Sequence, residues 1–297
     1  MTSTDISDRS GVDLADPNRR PMDDEIDVWG LTHTGKVRKN NEDHFLLCAL
    51  QKQIKVYNTS LPDTENLAGN DERVAFISVV ADGVGGQAAG EEASRIALEC
   101  ITRYVSEAIH VYYTADPTND AVFVDLLEES AMRVHVELAT MSASNPTLRG
   151  MATTMTLWLG IWPRAYLLQV GDSRCYLLRN GKLLQMSRDQ TMAEDFVEQG
   201  ILTRDHPGHA KLSHILSSAI GGHEAAPVVR RMEQGWENVG LLCSDGLTRH
   251  VSDEQIRDRL MNMTSARQAC ETLLQDALDA GGTDNITIAI GRCIRKH

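Results

Sequence analysis

At 297 residues, with 42% apolar and 24% charged side chains, the chain has the composition of a globular protein long enough to bury a substantial core. Its formal net charge of −13 at pH 7 argues against a nucleic-acid or anionic-membrane partner, which calls for a basic face, and no apolar run approaches the length of a membrane span. The six cysteines (Cys48, Cys100, Cys175, Cys243, Cys270, Cys293) stand far apart with no CxxC pair, so the expectation is a reduced, cytoplasmic compartment without cysteine-bound zinc.

Residues 1–25 are polar and acidic and lack the apolar core of a signal peptide, which predicts a disordered acidic tail. From Ile26 onward patterned segments follow one another without a linker, predicting one domain over residues 26–297. NNEDHFLL opens a strand, and NTSLPDTENLAGNDER (Asn58 to Arg73) reads as an exposed excursion. ISVV (Ile77 to Val80) has the β-branched richness of an interior strand. After it come Asp82 and the glycines Gly83, Gly85 and Gly86.

Two helices follow. Ala93, Ile96, Ala97, Cys100, Ile101, Tyr104 and Val105 keep the three-four spacing of one helix face, as do Phe123, Leu126, Leu127, Ala131, Val134 and Leu138. TTMTLWLGIW, RAYLLQVG and CYLLRNGKLLQMS read as a meander with turns at Trp162-Pro163-Arg164 and Asn180-Gly181. Thr191 with Glu194, Ser252 with Gln255 and Ser265 with Gln268 fit capping boxes that open helices, the last one stopped at Gly281-Gly282. NVGLLCS and NITIAIGRCI complete the strands. Strands in runs and helices in pairs predict an α+β layering rather than βαβ alternation.

One local pattern recurs. Asp82 after ISVVA is by itself an ordinary turn residue. Asp172 in LLQVGDSR and Asp245 in VGLLCSDG stand at similar strand exits, while Asp284 in GGTDNITIAI and the pair Glu42-Asp43 in NNEDHFLL stand just ahead of strands. If those strands share a sheet edge, the carboxylates converge and repel, and only cations offset that repulsion. Oxygen ligands without a His or Cys pattern point to Mg²⁺ or Mn²⁺.

These segments, RxxNED (Arg38 to Asp43), DGVGG (Asp82 to Gly86), ATT (Ala152 to Thr154), GDSR (Gly171 to Arg174), SDGLT (Ser244 to Thr248) and GGTDNIT (Gly281 to Thr287), resemble in order the motifs of the metal-dependent protein phosphatases. That family is also called PPM or type 2C Ser/Thr phosphatases, and the chain is most similar to its compact bacterial members. The resemblance implies a four-layer α-β-β-α sandwich of two mainly antiparallel sheets flanked by helices. It also implies two core Mn²⁺ or Mg²⁺ ions and a weaker third. Asp82 looks like the carboxylate bridging the core ions, the Gly83 carbonyl like a ligand of one, and Asp245 and Asp284 like ligands of the other. Asp43 and Glu42 resemble the pair that binds directly or through waters, and Asp172 the residue at the third position. Arg38 corresponds to the arginine that grips the substrate phosphate, a task suited to its planar fork of donors.

The implied reaction is hydrolysis of phosphoserine and phosphothreonine by a water activated at the binuclear centre. Implied partners are phosphoproteins, including Ser/Thr kinases or their substrates, met by a monomeric cytoplasmic enzyme. Val84 stands where eukaryotic relatives carry a histidine, Gln87 replaces a frequent histidine, Ala152 a frequent glycine and Ser218 a frequent arginine. His44, one step along the strand from Asp43, points to the opposite face by alternation. His206 and His209 fall in the stretch corresponding to the family's flap, where solvated loop histidines are the plainer reading. Two rivals differ in kind: a catalytically silent scaffold, which tends to lose ligand carboxylates retained here, and a phosphatase of a small phosphorylated metabolite.

Overall fold

In the computed structural model, which describes residues 16, 19–52, 72–85, 88–114 and 120–296, runs of strands alternate with pairs of helices. The strands are β1 (Ile26–His33), β2 (Asp43–Lys52), β3 (Glu72–Val84), β4 (Ala152–Thr153), β5 (Met155–Ile161), β6 (Arg164–Val170), β7 (Arg174–Arg179), β8 (Lys182–Gln185), β9 (Val228–Glu233), β10 (Val239–Cys243) and β11 (Ile286–Cys293). The helices are α1 (Ala88–Thr114), α2 (Asp120–Ser144), α3 (Met192–Glu198), α4 (His209–Leu212), α5 (Asp245–Thr248), α6 (Asp253–Met261) and α7 (Ala266–Asp279).

One sheet runs β1-β11-β10-β7-β8 and the other β2-β3-β5-β6-β9, with β4 paired to the end of β3. Every pairing is antiparallel. Val80, Leu242 and Ala289, joined by Phe45, Leu47 and Trp158, pack the sheets face to face. The apolar faces of α1 and α2 cover the outside of the second sheet: Ile101, Leu127, Val134 and Leu138 are buried with Ile77, Val79, Leu157 and Leu168. On the other side α6 and α7 bury Ile256, Leu260, Ala269 and Leu273 against Leu241, Ile288 and Ile290. The expected α+β four-layer sandwich is the fold.

Local signals behave as their chemistry requires. Ser252 and Gln255 form the full capping box of α6. The other two are half boxes: Thr191 and Ser265 accept from Glu194 and Gln268 backbone N–H groups, but the Glu194 carboxylate goes to Arg204 and the Gln268 amide oxygen to the Thr264 N–H. The α7 helix ends at Gly281 and Gly282, both at positive φ.

The meander expectation needs correction. β5–β6 and β7–β8 are hairpins, but β6 and β7 lie in different sheets. Gly171, at φ 100°, turns the chain across, and Thr156 Oγ1 pins the corner by donating to the Ser173 carbonyl at 2.8 Å. Both strands are buried on both faces, so no alternation betrays the change of sheet.

A second correction concerns the end of the expected tail. Arg19 and Glu25 are buried and paired at 2.5 Å, and Asp23–Glu25 form a 3₁₀ turn. Residues 1–15, residues 58–71 of the expected excursion, and Gly86 and Gln87 lie outside the described residues; Glu72 and Arg73 already belong to β3.

Candidate active site

The two sheets bring strand ends from distant parts of the sequence to one edge. Asp43, the first residue of β2, stands in register opposite Asp82 of β3. Asp82 lies two residues inside the end of its strand, not beyond it as the apolar run suggests. Gly83 follows where the backbone is hemmed in: a Cβ there would lie 2.2 Å from the Gly90 carbonyl oxygen and 2.6 Å from that of Glu42. Only glycine fits. Asp245 opens α5 directly after β10, and Gly246 lets that turn press on the Asn285 carbonyl, which an added Cβ would approach to 1.9 Å. Asp284 precedes β11 in that same loop, and Asp172 occupies the crossover between β6 and β7. Arg38 and Glu42 come from the β1–β2 connection.

Arg38, Glu42, Asp82, Gly83, Asp172, Asp245 and Asp284 all line one cleft of about 730 Å³. Asp43 lies beneath it, 2% exposed. One Asp43 oxygen, Oδ2, accepts hydrogen bonds from Ser244 Oγ and Thr287 Oγ1, each at 2.7 Å. The other, Oδ1, is buried with no hydrogen-bond partner. Two guanidiniums reach the carboxylates: Arg38 grips Asp284 through both oxygens, at 2.7 and 2.8 Å. Arg249 spans Asp245 and Asp284.

Burial dominates the electrostatics. It pushes the Asp43 carboxyl up to about 7, against the two hydroxyl donors and reinforced by Asp245 and Asp284. Burial, then Asp43, Asp245, Asp172 and Asp284, raises Asp82 well above the ordinary carboxylate range. Asp172 is pushed up to about 8 by burial and then by Asp245 and Asp189. Burial also raises Asp245, with Arg249 opposing, and Glu42, with Arg38 opposing. Each rise has the same cause: negative charge is crowded where water cannot screen it.

The donor set fits hard divalent ions. It consists of carboxylate and carbonyl oxygens, and the orphaned Asp43 Oδ1 lacks the positive partner that a buried anion requires. Among the described residues, no three acidic, histidine or cysteine side chains already form a closed cage.

Three further features escaped the motif reading. Ser244 and Thr287 orient Asp43; they sit inside quoted motifs, but only the fold points their hydroxyls at it. Arg249 stands one helical turn after Asp245, an i,i+4 charge pair that the sequence does show. Among the histidines, His214 lines the cleft. By contrast His209 faces Glu194, His206 accepts from the Gly208 N–H, and His44 meets Ser94 Oγ away from the cleft, as strand alternation requires. Val84 is exposed at the rim.

The family model described as protein phosphatase 2C matches residues 63–281. The chain is 32% identical over 226 residues to the serine/threonine protein phosphatase PstP of Mycobacterium tuberculosis, covering 75% of this chain but only 42% of that protein. It is 28% identical over 269 residues to the protein phosphatase PhpP of Streptococcus pneumoniae, covering 89% and 96% of the two chains. Its fold is similar to a crystal structure of the catalytic domain of PstP in complex with two manganese ions, with a TM-score of 0.68, 29% identity and coverage of 91% and 98%.

Proposed function

Since the chain belongs to the protein phosphatase 2C family, we propose that it is a Mn²⁺- or Mg²⁺-dependent serine/threonine protein phosphatase, with residues 26–297 as the phosphatase domain. The observation that carries this reading is the convergence of Asp82, Asp172, Asp245 and Asp284 with Arg38 on one cleft, above the unpartnered Asp43 oxygen. The relatives' names supply the substrate class, and a neighbour's two manganese ions supply the metal. Phosphoproteins, including Ser/Thr kinases and their substrates, are then the partners. The same reading makes the chain a monomeric cytoplasmic enzyme; among the described residues no helix is long and apolar enough to cross a membrane.

Asp82, the Gly83 carbonyl, Asp245 and Asp284 would hold the two core ions, with Asp43 and Glu42 beside them and Asp172 toward a third. Bound there, such ions supply Lewis acidity and lower the pKa of a water for attack on phosphorus.

The protein's own groups handle the rest. Arg38 is half-exposed at the cleft wall; its fork, which already grips two carboxylate oxygens, matches two phosphoryl oxygens equally well. Lys39 lines the same wall and adds positive charge for an incoming phosphate. Ser244 and Thr287 hold the Asp43 carboxylate in one rotamer from behind. Hydrolysis breaks the bond between phosphorus and the Ser or Thr oxygen, which leaves with a proton. Exposed Val84 cannot provide that proton; Asp172 lines the same cleft and is the residue we assign to the leaving-group side. A cysteine route has no support: burial raises all six thiols, and none lines the cleft.

The test is turnover of p-nitrophenyl phosphate and of phosphothreonine and phosphotyrosine peptides, with Mn²⁺ and with chelator. Mn²⁺-dependent cleavage favouring phosphothreonine is expected. Mn²⁺ binding without turnover of any of these would replace the reading by a silent scaffold, and turnover of small phosphorylated metabolites alone would replace the substrate class.

A further inference from the structure

Arg249 is the one side chain among the described residues whose guanidinium joins two of the proposed ligand carboxylates. It caps the four-residue helix α5, one turn beyond Asp245. One end of its fork pairs with Asp245 Oδ2, and the other, Nη1, donates to Asp284 Oδ2 at 2.9 Å. Arg249 is more enclosed than Arg38: its side chain is 31% exposed against 51%.

We propose that Arg249 is an internal counter-ion that competes with a divalent ion for Asp245 and Asp284 and thereby sets the metal concentration at which the site fills. The inference rests on the reading of Asp245 and Asp284 as metal ligands and adds a residue that this reading leaves without a role. A guanidinium and a divalent cation on the same carboxylate oxygens are like charges in contact, in a cleft where water screens them poorly. They cannot both keep those oxygens. Metal binding therefore has to break two charge-assisted hydrogen bonds and turn the guanidinium out into the cleft, which weakens apparent metal affinity. Without the ion, the same guanidinium offsets the repulsion between the two aspartates. The residue thus stabilises the metal-free chain and lowers its affinity for metal, two effects with one cause.

Arg38 shares the device at Asp284, whose two oxygens it holds, but does not bridge the two aspartates. It meets Asp284 alone and leaves Asp245 to Arg249. A merely structural i,i+4 pair would stabilise the protein equally with and without metal, and a phosphate-binding arginine would change KM with metal affinity unaltered.

The experiment is a Mn²⁺ titration of Arg249→Gln and of the wild-type chain, without substrate, by calorimetry and by electron paramagnetic resonance of free Mn²⁺. Removing two hydrogen bonds between charged groups predicts affinity about tenfold tighter or more. Thermal unfolding supplies an independent readout: Arg249→Gln should melt below wild type in chelator yet gain more in Tm on adding Mn²⁺. Arg257→Gln, an exposed pair with neighbouring Asp258, controls for net charge and should leave affinity unchanged. If Arg249→Gln fails to fold, Arg249→Lys, which keeps the charge and loses the two-ended fork, should tighten binding in the same direction to a smaller extent. Unchanged or weaker Mn²⁺ affinity in the variants overturns the inference. Asp245→Asn separates the two claims. If it loses Mn²⁺ affinity while Arg249→Gln behaves as wild type, the counter-ion falls and the metal site stands. If Asp245→Asn binds as wild type, or wild type binds no Mn²⁺, both fall.

Discussion

Substituting Asp43 by asparagine keeps its shape and removes its charge, which makes the buried carboxylate measurable. In the fold the Asp43 carboxyl is pushed up to about 7, against about 3.9 in an unfolded chain. A raised carboxyl pKa means that the folded chain holds a proton the unfolded chain gives up. Stability is then fully present below about pH 4 and is lost as pH rises to about 7. About three pH units at 1.36 kcal/mol each amount to a loss on the order of 4 kcal/mol by pH 8. Asparagine escapes that loss. Its carbonyl can accept from Ser244 and Thr287 as Oδ2 does, which places the amide nitrogen where Oδ1 has no partner. A buried donor left unpaired costs about 1–3 kcal/mol. With chelator present, Asp43→Asn should therefore be more stable than wild type by about 1–3 kcal/mol at pH 8 and lose that advantage by pH 5. Urea unfolding followed by tryptophan fluorescence at both pH values measures the difference, which includes the relief of Asp82, whose carboxyl Asp43 helps to raise. A gap between the two chains that stays the same at pH 5 and pH 8 would refute the argument.

Asp82→Asn removes the carboxylate that faces Asp43 across the β2–β3 pair; it should abolish Mn²⁺-dependent turnover with the circular dichroism unchanged, and near-wild-type turnover would overturn its assignment. Arg38→Ala should raise KM for phosphopeptides, with a loss of about 1.5–3 kcal/mol, the scale of a hydrogen bond to a charged group, while calorimetry shows Mn²⁺ binding retained. Asp172→Ala should lose more activity on phosphothreonine peptide than on p-nitrophenyl phosphate, whose leaving group needs little protonation; equal losses would tell against a role on the leaving-group side. Away from the cleft, the Arg19 guanidinium beside Glu25 holds that carboxyl down at about 2. A lowered carboxyl pKa gives stability present above about pH 4.5 and lost as pH falls toward 2. Glu25→Gln should therefore lower Tm at pH 7 and have progressively less effect below pH 4, and a Tm gap that persists at pH 2 would refute the pairing.

Much of this protein could be read from its sequence because the determining interactions are short-range. The spacing of Ile96, Ile101, Leu127 and Leu138 dictates α1 and α2, since a helix must bury the face that carries them. Ser252 with Gln255 closes its box within four residues, and Gly281-Gly282 stops α7 where left-handed backbone is needed. The recurrence of an aspartate at strand ends is likewise local, as is the i,i+4 relation of Asp245 to Arg249. What local pattern could not supply was the partner of each element. Strands β6 and β7, apolar on both faces, carry no alternation to show that the chain changes sheets at Gly171. Arg19 and Glu25 read as solvated tail because each finds its reason for burial only in the other and in the domain they dock on. The site shows the same division most sharply. Asp43, Asp82, Asp172, Asp245 and Asp284 are each ordinary turn or strand-end residues until antiparallel register sets Asp43 opposite Asp82 and the crossover carries Asp172 to the same edge. Burial then raises the proton affinities of Asp43, Asp82, Asp172 and Asp245 together, a collective effect of charge confined in low dielectric. The two hydroxyls aimed at one Asp43 oxygen, and the absence of any partner for the other, follow from side-chain directions that only packing fixes.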